Sequence, residues 1–248
     1  MLQLLTIESL KLKNNRSFWV LVGLFVLSIL GITYTLSELS SKIPLFQQVW
    51  QEVAYVCGFA LVIPGMIIIM HTCAEYTYKT HRQNIIDGLS RNQYITTKLL
   101  FVVILALAST VLTFCSAFLV GLSSESAISF VNFKYVFYFF IQAMMYISVA
   151  FLCGLLFKRT ALSIGIYFLY AIVLENVLER RINKLINLDF DLGTYLPLAS
   201  SDHLVPSPSI STFFSPSLGS EISYVVVALC YIALCFALCY QRYQKQDL

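Results

Sequence analysis

Charged residues are scarce in this sequence, and their scarcity is the first clue to its class. Asp, Glu, Lys and Arg make up 12% of the 248 residues, whereas ordinary soluble domains contain roughly 25%. A chain with so little charge cannot cover a water-soluble globule of this size with polar surface. The charge is also unevenly spread, because long charge-free runs alternate with short basic or mixed segments. This pattern indicates a membrane protein.

Motifs for metal, nucleotide and nucleic-acid binding are also missing from the sequence. Seven cysteines lie in or beside apolar runs and form no C-x-x-C pair, so we interpret them as packing residues. There is no G-x-x-x-x-G-K-[S/T] phosphate loop, and the net charge of +3 comes without an arginine-rich run. We therefore predict no metal site, no cofactor held by this chain and no nucleic-acid partner.

Six apolar runs account for most of the chain. A hydrocarbon core about 30 Å thick needs roughly 20 helical residues to cross it. Five runs reach that length, and a sixth, at 161–174, does so if residues 175–178 complete it. We therefore predict an all-α membrane protein, with residues 1–248 forming one transmembrane domain. The predicted spans are about 18–36, 53–72, 99–122, 135–157, 161–178 and 222–240.

The distribution of Lys and Arg predicts the orientation of these spans. If the N-terminus is cytoplasmic, eleven of the sixteen basic residues fall in inside segments and five in outside segments. Both termini are therefore predicted to be cytoplasmic. Residues 1–15 mix leucines with Glu8, Lys11 and Lys13, which favours an amphipathic interfacial helix. The length of the first apolar run and its charged lead predict a retained span and not a cleaved signal peptide.

Two further features concern the helices themselves. The outer loop before span six begins with Leu178, Ile182, Leu185 and Ile186 at helical spacing, which predicts a helix lying on or dipping into the outer leaflet. Within span two, Pro64 is followed by glycine and predicts a kink, because proline removes one helical hydrogen bond.

The predicted spans contain essentially no ionisable residue near their middle. A charge there costs at least roughly 2.5–3.5 kcal/mol, so proton-coupled transporters and intramembrane enzymes keep one only where function needs it. His71 and Glu75 lie at the inner end of span two, and Glu175 lies at the outer end of span five. The i, i+4 spacing of His71 and Glu75 resembles half a zinc site, but no partner ligand shares their level. We interpret them as an interfacial pair and predict no catalytic residues.

Small and hydroxylated residues are the polar content of the spans. Thr110 and Thr113 belong to a ridge of small side chains in span three, and Gln142 lies midway along span four. These three side chains either pack helices together or line a path for cargo.

The inner loop between spans two and three carries the most specific pattern, EYTYKTHRQNIIDGLSRNQYITTK from Glu75 to Lys98. It predicts a helix at 80–87, a left-handed stop at Gly88 and an N-cap at Ser90 leading into span three. This loop resembles the one after span two in type-2 ABC exporter permeases, which often reads acid, threonine, apolar, Gly-apolar-Ser-Arg, aromatic and lysine. Bacitracin and lantibiotic self-protection permeases share the length and layout of the whole chain.

The resemblance implies a function and a set of partners. The loop would be a coupling helix that docks on a cytoplasmic ABC-type ATPase, present in two copies that bind ATP and Mg²⁺, while a second permease chain completes the path. This chain would then be a transporter subunit, not an enzyme, in the bacterial cytoplasmic membrane and in contact with lipid. The implied ATPase contacts are Glu75, Thr80, Arg82, Ile85, Ile86, Gly88 and Arg91.

Two functions remain open at this point. The first is the permease subunit of an ATP-driven exporter, for which the lack of buried charge predicts an amphipathic or lipid-like cargo such as a peptide antibiotic, a lipid or a drug. The second is a membrane anchor or scaffold that recruits a cytoplasmic ATPase without moving cargo. An ATPase partner whose rate responds to a substrate would distinguish the first from the second.

Overall fold

Six long apolar helices dominate the computed structural model, which describes residues 15–39, 46–78, 80, 90–123, 129–185, 192–206 and 221–245. In these residues the chain is helical and forms no β-strand. The helices long and apolar enough to cross a membrane number six, as predicted: Arg16–Glu38, Gln48–Thr77, Arg91–Leu122, Lys134–Phe157, Thr160–Lys184 and Glu221–Gln244. The protein therefore has the architecture of a multi-pass membrane protein. We call the end where span one begins and span six ends the terminal end, and the opposite end the distal end.

In the described residues, nine α-helices form these spans and one connecting segment. They are α1 (Arg16–Leu39), α2 (Phe46–Ala60), α3 (Val62–Thr77), α4 (Arg91–Leu122), α5 (Lys134–Phe157), α6 (Thr160–Leu169), α7 (Glu175–Leu185), α8 (Pro197–Asp202) and α9 (Glu221–Gln244). Span two combines α2 and α3, and span five combines α6 and α7 through a π-helical turn at Tyr170–Leu174. The predicted interfacial helix at residues 1–15 lies outside the described residues except for its last residue.

Span four is the central helix of the bundle. Its helix α5 packs against spans two, three, five and six and against α8. The sequence explains this position, because the middle of α5 is apolar or small on every side, from Ala143 to Phe151, and all of these residues are buried. A helix that is apolar all round belongs in a core.

Span two is interrupted at Leu61, three residues before Pro64. Proline has no N–H to donate, and its ring crowds the carbonyl of the fourth preceding residue. Helix α2 accordingly ends at Ala60 and α3 begins at Val62. Gly65 then allows the ring of Tyr167 to lie against the backbone, where a Cβ atom would collide with the phenol group. Span two is thus interrupted close to the predicted kink and packs there against span five.

Span five is longer than predicted. The stretch with Leu178 and Ile182, which the sequence assigned to a separate helix of the outer loop, continues the span directly through Leu185. One buried stripe runs along it at four-residue intervals, through Ser163, Tyr167 and Ala171 to Glu175. Glu175 is the last fully buried member of this stripe. The helix continues beyond it to Leu185. Ile186, the last residue of the predicted pattern, lies outside the described residues.

The connection after span five folds back against the bundle. A 3₁₀ turn at Leu192–Tyr195 leads into α8, which packs against spans four, five and six. Leu198, Ser200 and Ser201 of α8 are fully or almost fully buried, and so is Val205 beyond it. Backbone of this kind is tolerated within a membrane bundle where protein covers it. The segment 192–206 is therefore part of the core and not a surface loop.

Candidate functional site

A buried cluster of polar side chains joins spans two and three at the terminal end. The ammonium group of Lys98 lies 2.9 Å from the Glu75 carboxylate and 2.9 Å from Nε2 of His71. The Tyr94 hydroxyl donates a hydrogen bond to the same carboxylate. Lys98 and Glu75 are 1% and 4% exposed, so they form a buried ion pair. We call His71, Glu75, Tyr94 and Lys98 the terminal cluster.

The chemistry of the terminal cluster sets the protonation of His71. A lysine ammonium only donates hydrogen bonds, so Nε2 of His71 must accept and the ring proton must lie on Nδ1. The ring of His71 also packs against Phe101, with 5.1 Å between ring centroids. His71 and Glu75, which the sequence showed as half a zinc site, therefore enclose a cation that belongs to the chain itself. In the described residues no group of three His, Cys, Asp or Glu side chains lies together to bind a metal ion.

Span six closes the terminal cluster from a third side. The ring of Tyr243 stacks on Tyr94, with centroids 4.8 Å apart and an interplanar angle of 15°. Arg91 donates a hydrogen bond to the Gln244 carbonyl at 2.9 Å, and the Tyr240 hydroxyl donates to Asn92 Oδ1 at 3.0 Å. The terminal ends of spans two, three and six are thereby held as one unit.

Span three begins with the cap that its sequence predicts. Ser90 Oγ accepts from the Gln93 backbone N–H, and the Gln93 side-chain oxygen accepts from the Ser90 N–H, so the two residues form a capping box. Two backbone donors that the helix start would leave free are thus satisfied. The start of span three is therefore determined by local sequence.

The predicted ATPase contacts fall into two groups. Glu75 lies near the end of span two, Arg91 is the first residue of span three, and Thr80 is half-buried between them in the sequence. Glu75 is buried against Lys98 and Tyr94, so it holds the loop and offers no surface to a partner. The other four predicted contacts, and the predicted helix at 80–87 apart from Thr80, lie outside the described residues: Arg82, Ile85, Ile86 and Gly88.

A second buried polar cluster lies in the distal half of the bundle. The carboxylate of Glu175 accepts hydrogen bonds from the backbone N–H groups of Leu198 and Ala199, at 2.5 and 2.8 Å. These are free donors in the first turn of α8, and an anion is favoured there. A side chain from span five therefore caps the short helix of the returning segment.

Asp202, the last residue of α8, completes this arrangement. Gln142 Nε2 and the Tyr146 hydroxyl donate to its two carboxylate oxygens at 2.8 and 3.0 Å. At about 1.5 Å per helical residue, Gln142 lies roughly 12 Å along α5 from Lys134, so Asp202 is well below the distal end. We call Asp202, Gln142 and Tyr146 the distal cluster.

The carboxyl group of Asp202 is crowded by protein but still reached by solvent. Asp202 is exposed in the isolated chain, whereas Gln142 and Tyr146, which donate hydrogen bonds to it, are 5% and 7% exposed. The protein atoms around the carboxyl disfavour its charged form and raise its pKa to about 6, against the hydrogen bonds from Gln142 and Tyr146, which lower it. The carboxyl group is therefore packed by protein on one side and open on another, and we call this open side the recess. Because Asp202 is exposed, a ligand can reach it.

The three predicted packing or cargo-path residues lie on inward faces. Thr113 and Gln142 are buried, whereas Thr110 is half-buried and donates to the Ala106 carbonyl at 2.8 Å. Only Gln142 reaches a charged group. The side-chain amide of Gln142 also lies against Gly58 of span two, within 3.0 Å of where a Cβ atom would be.

Sequence reasoning missed the roles of Lys98 and Asp202. Lys98 was counted as a basic residue of the inner loop, although it stands at i, i+4 from Tyr94 on the face that meets span two. Asp202 was assigned to an outer loop, and the signal for its depth was the run of small residues from Ala199 to Ser201 shortly after Pro197. Small side chains permit close packing of a returning segment.

These features define a helical multi-pass membrane protein with two buried polar clusters. A family model described as "Protein of unknown function (DUF2705)" matches residues 20–248, and the chain belongs to this family. No curated protein matches the chain.

Proposed function

We propose that the chain is the permease subunit of an ATP-driven exporter of the type-2 ABC class, powered by a separate cytoplasmic ATPase. The observation that carries this proposal is the terminal cluster, whose Glu75 and Lys98 lie at the two ends of the inner loop and pair with each other. The sequence of that loop resembles the coupling helix of these exporters. Such a loop needs a firm base to transmit force, and the ion pair supplies one.

The terminal cluster makes the proposed coupling mechanically sensible. Separating a buried ion pair leaves uncompensated charge and costs about 3–5 kcal/mol, so a push on the loop would move spans two and three together. Span six would follow through Tyr94 and Tyr243, whose rings stack. The break of span two at Leu61 divides it into a terminal half that would move and a distal half that would stay with span four.

The proposal assigns different roles to the predicted contact residues. Arg82, Ile85, Ile86 and Gly88 would meet the ATPase, with Thr80 and Arg91 at the margins of the contact. Glu75 would act as a positioning residue. Two ATPase copies binding ATP and Mg²⁺, and a second permease chain, would complete the assembly in the bacterial cytoplasmic membrane, with both termini of this chain cytoplasmic. The cargo would be amphipathic or lipid-like.

The test is to purify the full chain from native membranes with an affinity tag and to identify the proteins that accompany it. A phosphate-loop ATPase should copurify, and its hydrolysis rate in lipid nanodiscs should differ from that of the free ATPase. Ile85→Asp and Gly88→Asp should each abolish this difference while the chain still inserts. Val131→Asp, which changes an exposed apolar residue at the distal end, is the matched control and should leave the rate unchanged.

Two outcomes would contradict the proposal. Copurification and ATPase rates that are unaffected by Ile85→Asp and Gly88→Asp would remove the coupling role of the loop. An ATPase that copurifies but never responds to a candidate cargo would favour the membrane anchor or scaffold instead.

A further inference from the structure

The carboxylate of Asp202 forms no ion pair within 4 Å in the described part of the chain, and the neighbouring His203 acts on it only electrostatically. Its two hydrogen-bond partners, Gln142 and Tyr146, are neutral donors. Two other carboxylates near the distal end are engaged, since Glu221 pairs with Lys134 at 2.7 Å and Glu179 contacts His203 at 2.9 Å. A carboxylate without an ion pair is costly within a membrane bundle, so a cationic ligand in contact with it would be favoured.

Gln142 provides a second and independent observation. The residue is 5% exposed, and its amide nitrogen is held by Asp202. Its other terminal atom, the buried oxygen Oε1, has no hydrogen-bond partner in the described part of the chain. A buried acceptor without a donor costs about 1–3 kcal/mol, so a ligand that donates there would gain stability.

Together the two residues define the chemistry of the missing partner. Asp202 presents two carboxylate oxygens, each with remaining acceptor capacity, and Gln142 adds an amide oxygen beside them. A site made of acceptors selects a donor, and its negative charge selects a cation. A primary ammonium has three donors and one positive charge, which matches this set.

The surroundings of the recess add an apolar component. Tyr55 of span two interacts electrostatically with Asp202 and packs edge-to-face on Phe59, with ring centroids 5.4 Å apart. Phe59 is 70% exposed in the isolated chain. An aliphatic or aromatic body attached to the ammonium group would lie over these two rings.

We propose that Asp202 and Gln142 form a binding site for the primary ammonium group of an amphiphile, with Tyr55 and Phe59 receiving its apolar part. The amphiphile is either an exported compound or an amine-bearing membrane lipid, which present the same chemistry. Only the export of the amphiphile rests on the proposed function, because binding itself needs no ATPase. It also sharpens the expected cargo from amphipathic to cationic and amphipathic.

The test uses the purified full chain in phosphatidylcholine nanodiscs, since a quaternary ammonium cannot donate to Gln142. The probe is dansylcadaverine, a fluorophore with a primary ammonium, titrated with empty nanodiscs subtracted. The wild-type chain should bind it saturably, and at least about tenfold more tightly than the same fluorophore on an uncharged pentyl chain. Adding phosphatidylethanolamine to the nanodiscs identifies the source, because competition would assign the site to lipid and no competition to another amine.

Two variants complete the test. Asp202→Asn keeps the shape and an acceptor for Gln142 but loses the charge, so affinity for the probe should fall about tenfold. Glu221→Gln makes the same change at an exposed distal carboxylate and should leave affinity unaltered. Equal binding of the charged and uncharged probes to the wild-type chain, or equal affinity in Asp202→Asn, would overturn the site. Neither result depends on an ATPase, so the exporter proposal stands or falls separately.

Discussion

The terminal and distal clusters bury ionisable groups in opposite ways. At the terminal end, Lys98 and Glu75 neutralise each other at 2.9 Å and are closed off by span six. In the distal half, Asp202 is held by neutral side chains and remains open to solvent. The first arrangement is complete without a ligand and resists change, whereas the second leaves charge and acceptor capacity unused. Similar residue types therefore form a closed joint between helices in the terminal cluster and an open site in the distal cluster.

The largest expected effect is the loss of stability when the lysine of a buried ion pair is removed, compared with the same change in an exposed ion pair. Lys98→Met leaves the Glu75 carboxylate buried without its cation, so the free energy of unfolding should fall by about 3–5 kcal/mol. Lys134→Met removes the same group from the pair with Glu221, where the two side chains are 45% and 54% exposed. That change should cost less than about 1 kcal/mol. Equilibrium unfolding in mixed micelles measures both values.

A rescue experiment checks the cause of the Lys98 effect. Glu75→Gln should restore much of the lost stability when it is combined with Lys98→Met, because the unpaired charge is then gone. A double variant that is as unstable as the sum of the two single variants would show that packing, and not charge, holds this joint.

The second prediction compares one tyrosine hydroxyl in each cluster. Tyr94→Phe removes the donor to the buried Glu75 carboxylate but keeps the ring stack on Tyr243, so it should cost about 1–3 kcal/mol of unfolding free energy. Tyr146→Phe removes the donor to Asp202, whose carboxylate water can still reach, and should cost less than about 1 kcal/mol. The same mixed-micelle measurement applies. Equal losses would mean that the distal recess is as closed as the terminal joint.

These contrasts show which parts of the molecule the sequence could reveal. The six spans depend on local apolar run length, and the start of span three depends on the local capping box of Ser90 and Gln93, so both were predictable. The pairing of Lys98 with His71 and Glu75 depends on how two helices align. A single sequence places these residues at one end of the bundle but does not set their register.

The distal cluster was harder to predict for a similar reason. Asp202 lies in a segment that the sequence assigned to an outer loop, and its depth comes from α8 folding back onto span four. Gln142 was identified as a polar residue midway along span four, because its polarity is visible in the sequence. Its partner was not, because the two residues are sixty positions apart.

The third prediction concerns the cap that holds α8 in the core. Glu175→Gln keeps an acceptor oxygen but removes the charge that the N–H groups of Leu198 and Ala199 favour, so α8 should be destabilised by about 1 kcal/mol. Amide hydrogen exchange of those two residues should accelerate roughly fivefold. Asn176→Ala, at the exposed neighbouring position, should leave the exchange unchanged. Unaltered exchange in Glu175→Gln would show that packing alone holds the segment.

The smallest expected effect is the pH dependence that Asp202 of the distal cluster should contribute. The pKa of Asp202 is raised from 3.8 to about 6, so the folded chain holds this proton more tightly than the unfolded chain. Its contribution to stability is therefore full at acidic pH and is lost as the pH rises from about 4 through 6. The titratable or charged groups of the packed elements that bear on it are Tyr55, Tyr146, Tyr167, Glu175, Glu179 and His203.

Subtracting a variant isolates this term from the other titrating groups. Asp202→Asn cannot ionise at this position, so the difference in thermal stability between the variant and the wild type should be larger at pH 7 than at pH 5, in favour of the variant. Glu221→Gln, whose wild-type carboxylate is stabilised by Lys134, should show no such gain at pH 7. Unfolding temperatures in nanodiscs at the two pH values provide the measurement. A difference that does not change with pH would mean that Asp202 titrates as an ordinary surface acid, and the contrast between the two clusters would then rest on hydrogen bonding alone.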